Sequence, residues 1–150
     1  MAFSYVVLGA GRQGVALAYD LAKNCEAGRV RLADVSPAQV DSALARLRPL
    51  LPAMATQFEA VICDVSRPVE VAHALAGAGV VISAAPYRFN AELTEAAIAA
   101  GASFCDLGGN TTVVRQQLAQ HAAAEARGVS VVPDCGLAPG LANILAAHGV

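Results

Sequence analysis

The sequence predicts an α/β domain built on one six-stranded parallel sheet, strand order 3-2-1-4-5-6, with helices on both faces. Two observations predict it. Six short apolar runs alternate with stretches of helical periodicity along the 150 residues, and most boundaries between them carry glycine, proline or a capping side chain. Strict strand–helix alternation demands parallel pairing, because a right-handed helical crossover returns the chain to the same end of the sheet. The length suits one hydrophobic core, since single domains usually run about 100–150 residues.

The elements follow in order. Phe3–Leu8 is aromatic and β-branched and stops at Gly9; Gly14–Asn24 then places Val15, Ala18, Leu21 and Ala22 on one helical face. Arg29–Ala33 is the second strand. Ser36 caps the next helix and Pro37 occupies its first position, and Pro49 with Pro52 is expected to end it near Arg48. Phe58–Cys63 is the third strand, followed by a helix over Pro68–Ala76 that Gly77 and Gly79 close. Val80–Ala84 is the fourth strand, and Ala91–Ala100 a helix with Asn90 as its cap and Gly101 as its stop. Ser103–Leu107 is the fifth strand, Thr112–Arg127 the longest helix and Val129–Val132 the sixth strand. A last helix is expected over Leu141–Val150, with Leu141, Ile144, Leu145 and His148 on one face.

Composition removes several classes of function. With 56% hydrophobic and 15% charged residues the chain is too apolar to stay disordered. No window approaches the ~18 uninterrupted apolar residues of a spanning helix, and no basic residue precedes the apolar stretch Met1–Ala10, so neither membrane insertion nor a signal peptide is expected. Nine arginines and one lysine are scattered, and the net charge is −2, so the basic stripe of a nucleic-acid binder is missing. Cys25, Cys63, Cys105 and Cys135 form no CxxC pair, which leaves a metal site without support and suggests reduced thiols of a cytoplasmic protein.

The turn after the first strand carries the chemistry. Gly9-Ala10-Gly11-Arg12-Gln13-Gly14 fits G-x-G-x-x-G between a strand and a helix. In a dinucleotide-binding Rossmann fold such a turn works through its glycines. Gly9 permits the tight turn, Gly11 lets the backbone approach a diphosphate, and Gly14 lets helix and strand pack closely, while the helix N-terminus faces the anion. The plainer alternative is a turn chosen for packing alone. Asp34 ends the second strand 20 positions beyond Gly14, where a carboxylate can accept from ribose hydroxyls and repel a 2′-phosphate. NAD is therefore favoured over NADP, although Arg31 on the same strand could project to the same face and keeps NADP open; Asp34 could also be a merely solvated strand-end acid. Asp64 could accept from the adenine amino group or cap the turn leading to Pro68. Ala84, Ala85 and Pro86 offer small side chains where a cofactor ribose would pass, or else form a simple turn.

Three loops follow the fourth, fifth and sixth strands: Pro86–Asn90, Asp106–Asn110 and Pro133–Gly140. Through GAGRQG at Gly9–Gly14, ISAAPYRFN at Ile82–Asn90, FCDLGGN at Phe104–Asn110 and VPDCGLAPGLANILA at Val132–Ala146, the sequence resembles the cofactor-binding half of the saccharopine dehydrogenase superfamily, most nearly the lysine 6-dehydrogenases. The resemblance implies NAD(P)-dependent oxidation at an amine-bearing carbon, with hydride passed to the nicotinamide and an imine left to hydrolyse. Family members are much longer and carry a second domain with most substrate contacts. On that reading residues 1–140 are the cofactor domain, residues 141–150 begin a helix leading to a catalytic domain absent from this chain, and the chain alone binds cofactor without turnover. An exposed apolar tail could then drive homo-oligomer formation.

Tyr87, Arg88, Asn90, Asp106, Asn110 and Asp134 are the candidate residues facing the nicotinamide and an amino-acid or amine substrate, each with a bland alternative: Arg88 as a solvated loop cation, the aspartates as turn caps. No catalytic residue is assigned. Cys135 lies in a suitable loop but has no histidine beside it and reads as structural, and His73, His121 and His148 fall on helices or the tail. Two other functions stay open: a stand-alone NAD-sensing regulatory module, and an NADP-dependent saccharopine or polyamine dehydrogenase of the same superfamily.

Overall fold

A computed structural model describes residues 2–51 and 56–149. The elements are β1 (Phe3–Leu8), α1 (Arg12–Asn24), β2 (Ala27–Asp34), α2 (Pro37–Leu50), β3 (Gln57–Ile62), α3 (Pro68–Leu75), β4 (Val80–Ser83), α4 (Asn90–Ala100), β5 (Ser103–Asp106), α5 (Thr111–Leu118), α6 (His121–Arg127), β6 (Val131–Val132) and α7 (Ala142–His148). All strand pairs are parallel and the order is β3-β2-β1-β4-β5-β6, as the alternation predicts. The chain therefore reverses direction across the sheet between β1 and β4.

Alternation along β1 and β2 divides the core in two. Tyr5 and Val7 of β1 join Val30 and Leu32 of β2 against Ala18 and Leu21 of α1 and Val40, Leu44 and Leu47 of α2. Val6 and Leu8 point the other way, onto Val71, Ala74 and Leu75 of α3 and Leu93 and Ala97 of α4. A central parallel strand is thus buried on both faces, which is why β1 reads as a continuous apolar run. Among the described residues no helix is long and apolar enough to cross a membrane.

Several elements depart from the sequence expectation. The second helix passes Pro49 and ends at Leu50; the proline sits in the last turn, where its missing N–H and its ring cost one hydrogen bond just before the helix stops. Pro52 lies outside the described residues. The long helix expected over Thr112–Arg127 is two helices, broken at Ala119–Gln120, where Gln120 (φ −87°, ψ 6°) turns inward and donates from Nε2 to the Ala91 carbonyl. A tertiary hydrogen bond, with no glycine or proline to announce it, makes that break. Asn90 does not cap α4: it is the first helical residue, is buried, and accepts from Ser83 Oγ at 2.9 Å. Ser36 does cap α2, and Asn110 caps α5 by accepting from the N–H groups of Thr112 and Val113. The final helix is shorter than expected, beginning after a distorted turn over Leu137–Leu141; Val150 lies outside the described residues.

Candidate cofactor-binding site

The carboxyl end of β1 runs into the glycine turn. Gly9 holds φ +104°, a left-handed conformation that disfavours side chains, and a Cβ there would meet the Ala84 carbonyl oxygen at 2.9 Å. Its N–H bonds to the Ala33 carbonyl, while Ala84 N–H bonds to Leu8, so the turn is pinned between the ends of β2 and β4. Gly14, in the first turn of α1, is buried with its Cα facing the Gly9 carbonyl, and no Cβ fits between them. Gly11 is the opposite case: nothing lies within 4 Å of where its Cβ would stand. It is bare backbone on the floor of a cleft, beside the uncapped N-terminus of α1. Its openness, with Gly9 and Gly14 closed off, fits a ligand diphosphate and the N–H groups that would hold it.

The cleft has a volume of about 470 Å³ and is lined by Gly9, Gly11, Asp34, Asp64, Ala84 and Pro86 among others. It lies at the carboxyl ends of β1 to β4, at the reversal of strand order where open α/β sheets bind their ligands. Asp34 stands at its rim with its carboxylate engaged on both sides, Oδ2 accepting from Ala10 N–H at 2.9 Å and Oδ1 from Ser36 N–H at 3.0 Å. The acid therefore ties the glycine turn to the β2–α2 loop while still lining the cleft.

Asp64 does what its capping alternative describes. Its carboxylate accepts from Ser66 Oγ at 2.7 Å and Ser66 N–H at 2.9 Å, with Arg67 at 3.7 Å, and these bonds to Ser66 hold its pKa below the usual carboxylate range. It nonetheless forms part of the cleft wall. Arg31 does not share the face of Asp34. Three positions separate them, so alternation sends its side chain to the opposite face, where it is 7% exposed and donates to the Ala74 and Ala76 carbonyls at 2.8 Å each. It caps the C-terminal end of α3 and is spent there. Arg12 faces a second, smaller pocket of about 200 Å³ beside Gly11, with Gln39, Ser42 and Arg46. Gln13 is exposed and borders neither space.

Of the residues expected toward a nicotinamide, Arg88 lines the cleft, exposed and lying over the Phe89 ring at 4.4 Å to its centroid. Four of the others are held elsewhere, Asn110 as the cap of α5. Asn90 is in the core, Asp106 is fully buried, and Asp134 uses its carboxylate on Gly109 N–H at 3.3 Å. Tyr87 stands exposed with its ring against Gly109. Sequence reasoning missed Gln117, a buried amide that a polar residue within the helix expected over Thr112–Arg127 did not announce.

Three of the thiols are unactivated. Burial pushes Cys63 and Cys105 up to about 11, and burial raises Cys135 as well, the reverse of what a nucleophile needs. Among the described residues no three His, Cys, Asp or Glu side chains are grouped to hold a metal ion.

A glycine turn open at its second glycine and closed at its third, set against an acid at the end of β2, defines the class: a nicotinamide-dinucleotide-binding α/β domain of the oxidoreductase kind. Residues 5–132 match the family described as the saccharopine dehydrogenase NADP binding domain, and the chain belongs to that family. Among solved structures, apo saccharopine dehydrogenase (L-Glu forming) from Saccharomyces cerevisiae superposes with a TM-score of 0.78 at 21% identity, covering 99% of this chain and 30% of that one. A shikimate 5-dehydrogenase from Mycobacterium fortuitum (TM-score 0.64, 21% identity, 88% of this chain and 44% of that one) has the same fold. So does a scyllo-inositol dehydrogenase from Lactobacillus casei (0.64, 21%, 89% and 36%). The chain thus spans less than half the length of each of these three structures.

Proposed function

We propose that the chain is the cofactor-binding part of an NAD(P)-dependent dehydrogenase that oxidises an amine-bearing carbon, as in a lysine 6-dehydrogenase. The observation that carries its cofactor-binding part is Gly11, bare and unobstructed at the helix N-terminus while Gly9 and Gly14 are sterically required; the amine-bearing substrate rests on the sequence motifs alone. The turn Gly9–Gly14 holds the diphosphate with backbone N–H groups, Asp34 accepts from the adenosine ribose hydroxyls, and Ala84 to Pro86 form the wall beside it. When bound, the cofactor supplies the hydride acceptor. Residues 1–140 supply cofactor binding, residues 141–150 lead toward a catalytic domain, and the 150-residue chain binds without turning over, because positioning a substrate carbon against the nicotinamide needs both walls of a cleft. Free thiols throughout fit a cytoplasmic setting.

Asp34 favours NAD, since a 2′-phosphate would meet its carboxylate. A second reading, NADP, is favoured by the family description and by Arg12 and Arg46 at the pocket adjoining Gly11. Calorimetric titration of the chain with NAD, NADP and ADP-ribose tests both: binding of none of them overturns the proposal, and the order of the first two decides between the forms.

A further inference from the structure

Beyond the cleft, a line of buried polar groups crosses behind the loops that follow β4, β5 and β6. Asp106, the last residue of β5, is 0% exposed, and its carboxylate accepts from Gly108 N–H at 2.6 Å, Asp134 N–H at 3.1 Å and Gln117 Nε2 at 2.6 Å. Gln117, 1% exposed, also donates to Thr94 Oγ1 at 2.9 Å, and the Thr94 hydroxyl donates to the Asn90 carbonyl at 2.7 Å. Asn90 Oδ1 in turn accepts from Ser83 Oγ. The line joins the end of β4 to the loop after β6.

Such a network is a poor way to add stability, because apolar side chains of the same volume would avoid the desolvation of a carboxylate and two amides. What it does is fix backbone. Gly108 and Gly136 have no room for a Cβ, the first against the Asp134 carboxylate and the second against the Leu107 carbonyl, so the two loops are interlocked. Asp134 holds φ +65° and Gly109 φ +126°, and Tyr87 from the β4 loop packs on Gly109. For a side-chain-bearing residue such as Asp134 this left-handed backbone is strained, and strain of that kind is concentrated where function requires it. These loops stand at the carboxyl ends of β5 and β6, on the other side of the strand-order reversal from Asp34, where the second half of a dinucleotide spanning the crevice must lie.

We propose that Asp106 is a positioning residue for the nicotinamide half of the cofactor: buried and held by Gln117, it sets the loops Leu107–Asn110 and Pro133–Gly136 as the floor beneath the nicotinamide riboside. The proposal rests on the dinucleotide reading above. It touches no cofactor atom itself and acts through the loop backbone.

The test separates the two halves of the ligand. Wild-type chain, Asp106→Ala, Gln117→Met and Asp106→Asn are titrated with ADP-ribose and with NADH, and the emission of the reduced nicotinamide is followed on binding. Asp106→Ala and Gln117→Met are expected to bind ADP-ribose within about twofold of wild type. They should lose about tenfold in the ratio of NADH to ADP-ribose affinity, together with the emission change. Asp106→Asn keeps both, because its oxygen still accepts from Gly108 and Asp134, and Gln117 can turn its unpartnered Oε1 to the new amide. Unchanged ratio and emission in Asp106→Ala and Gln117→Met overturn the proposal. So does parallel loss of ADP-ribose and NADH binding, which would make Asp106 a general stability element, and so does a wild type that binds NADH no more tightly than ADP-ribose. A wild type that binds neither ligand instead overturns the cofactor reading itself.

Discussion

Gly14 of α1 faces the carbonyl oxygen of Gly9 with no space for a methyl group between them, although four residues of turn and helix separate the two in sequence. The contact sets how deeply α1 sits against the end of β1, and with it the position of the helix N-terminus at the cleft. Gly14→Ala should therefore cost about 3 kcal/mol in urea unfolding, because only backbone can yield. Gly11→Ala should leave stability within about 0.5 kcal/mol, since its φ of −72° suits any residue and the space is open. It should nevertheless weaken dinucleotide binding at least about tenfold by standing where the diphosphate approaches. Full-strength binding by Gly11→Ala would mean the turn serves packing alone.

Arg31→Met separates structure from cofactor choice. Its two hydrogen bonds to the end of α3 are charge-assisted and largely out of water, so the loss should be about 2–4 kcal/mol. The ratio of NAD to NADP affinity should not move. A shifted ratio in the titration would return Arg31 to the ribose end of the site.

Asp34→Ser should raise NADP affinity relative to NAD by about tenfold, as one carboxylate charge near a 2′-phosphate is removed. It should also cost about 1 kcal/mol in stability, because Ala10 and Ser36 lose their shared acceptor. If NADP is the bound form, Arg46→Gln should weaken it and leave NAD unchanged.

Alkaline pH should destabilise the domain through its thiols. Burial lifts Cys63 and Cys105 from the ordinary value of 9.0 to about 11. In the unfolded chain both ionise first, so their contribution is complete below pH 9 and is lost as pH climbs toward 11. Urea midpoints at pH 8 and pH 10.5 should show the fall, about 1–3 kcal/mol in all, and Cys63→Ala should flatten part of it. An equally steep fall in a variant lacking both thiols would assign it elsewhere.

The last turn and helix expose Leu137, Ile144 and Leu145 at 77%, 66% and 61%. An apolar face this open tends to find another surface. Removing residues 141–150 should lower self-association in sedimentation velocity, and an unchanged distribution would show that the face does not drive it.

Much of the fold was legible because its determinants are local. Apolar runs, Ser36-Pro37, Gly101 and the glycine turn each act within a few residues, and together they fix element type, parallel pairing and strand order. The break at Gln120 was not legible, because it follows from a bond to Ala91 29 residues away. The same holds in the site. The tight turn at Gly9 and the close packing at Gly14 could be read from spacing, since a glycine-rich strand–helix junction places backbone against backbone.

The sequence by itself determined the α/β class, the parallel pairing with its sheet order, and the glycine turn after β1, since periodicity and turn chemistry are properties of neighbouring residues. Only the tertiary structure decided which polar side chains face the cleft. Arg31, Asn90 and Asp106 are polar residues near strand ends that looked available, yet each is consumed by a partner far along the chain: Ala74 and Ala76, Ser83, and Gln117 with Asp134. A buried polar group must find a hydrogen-bond partner, and which partner lies within reach is set by packing between elements rather than by spacing along the chain.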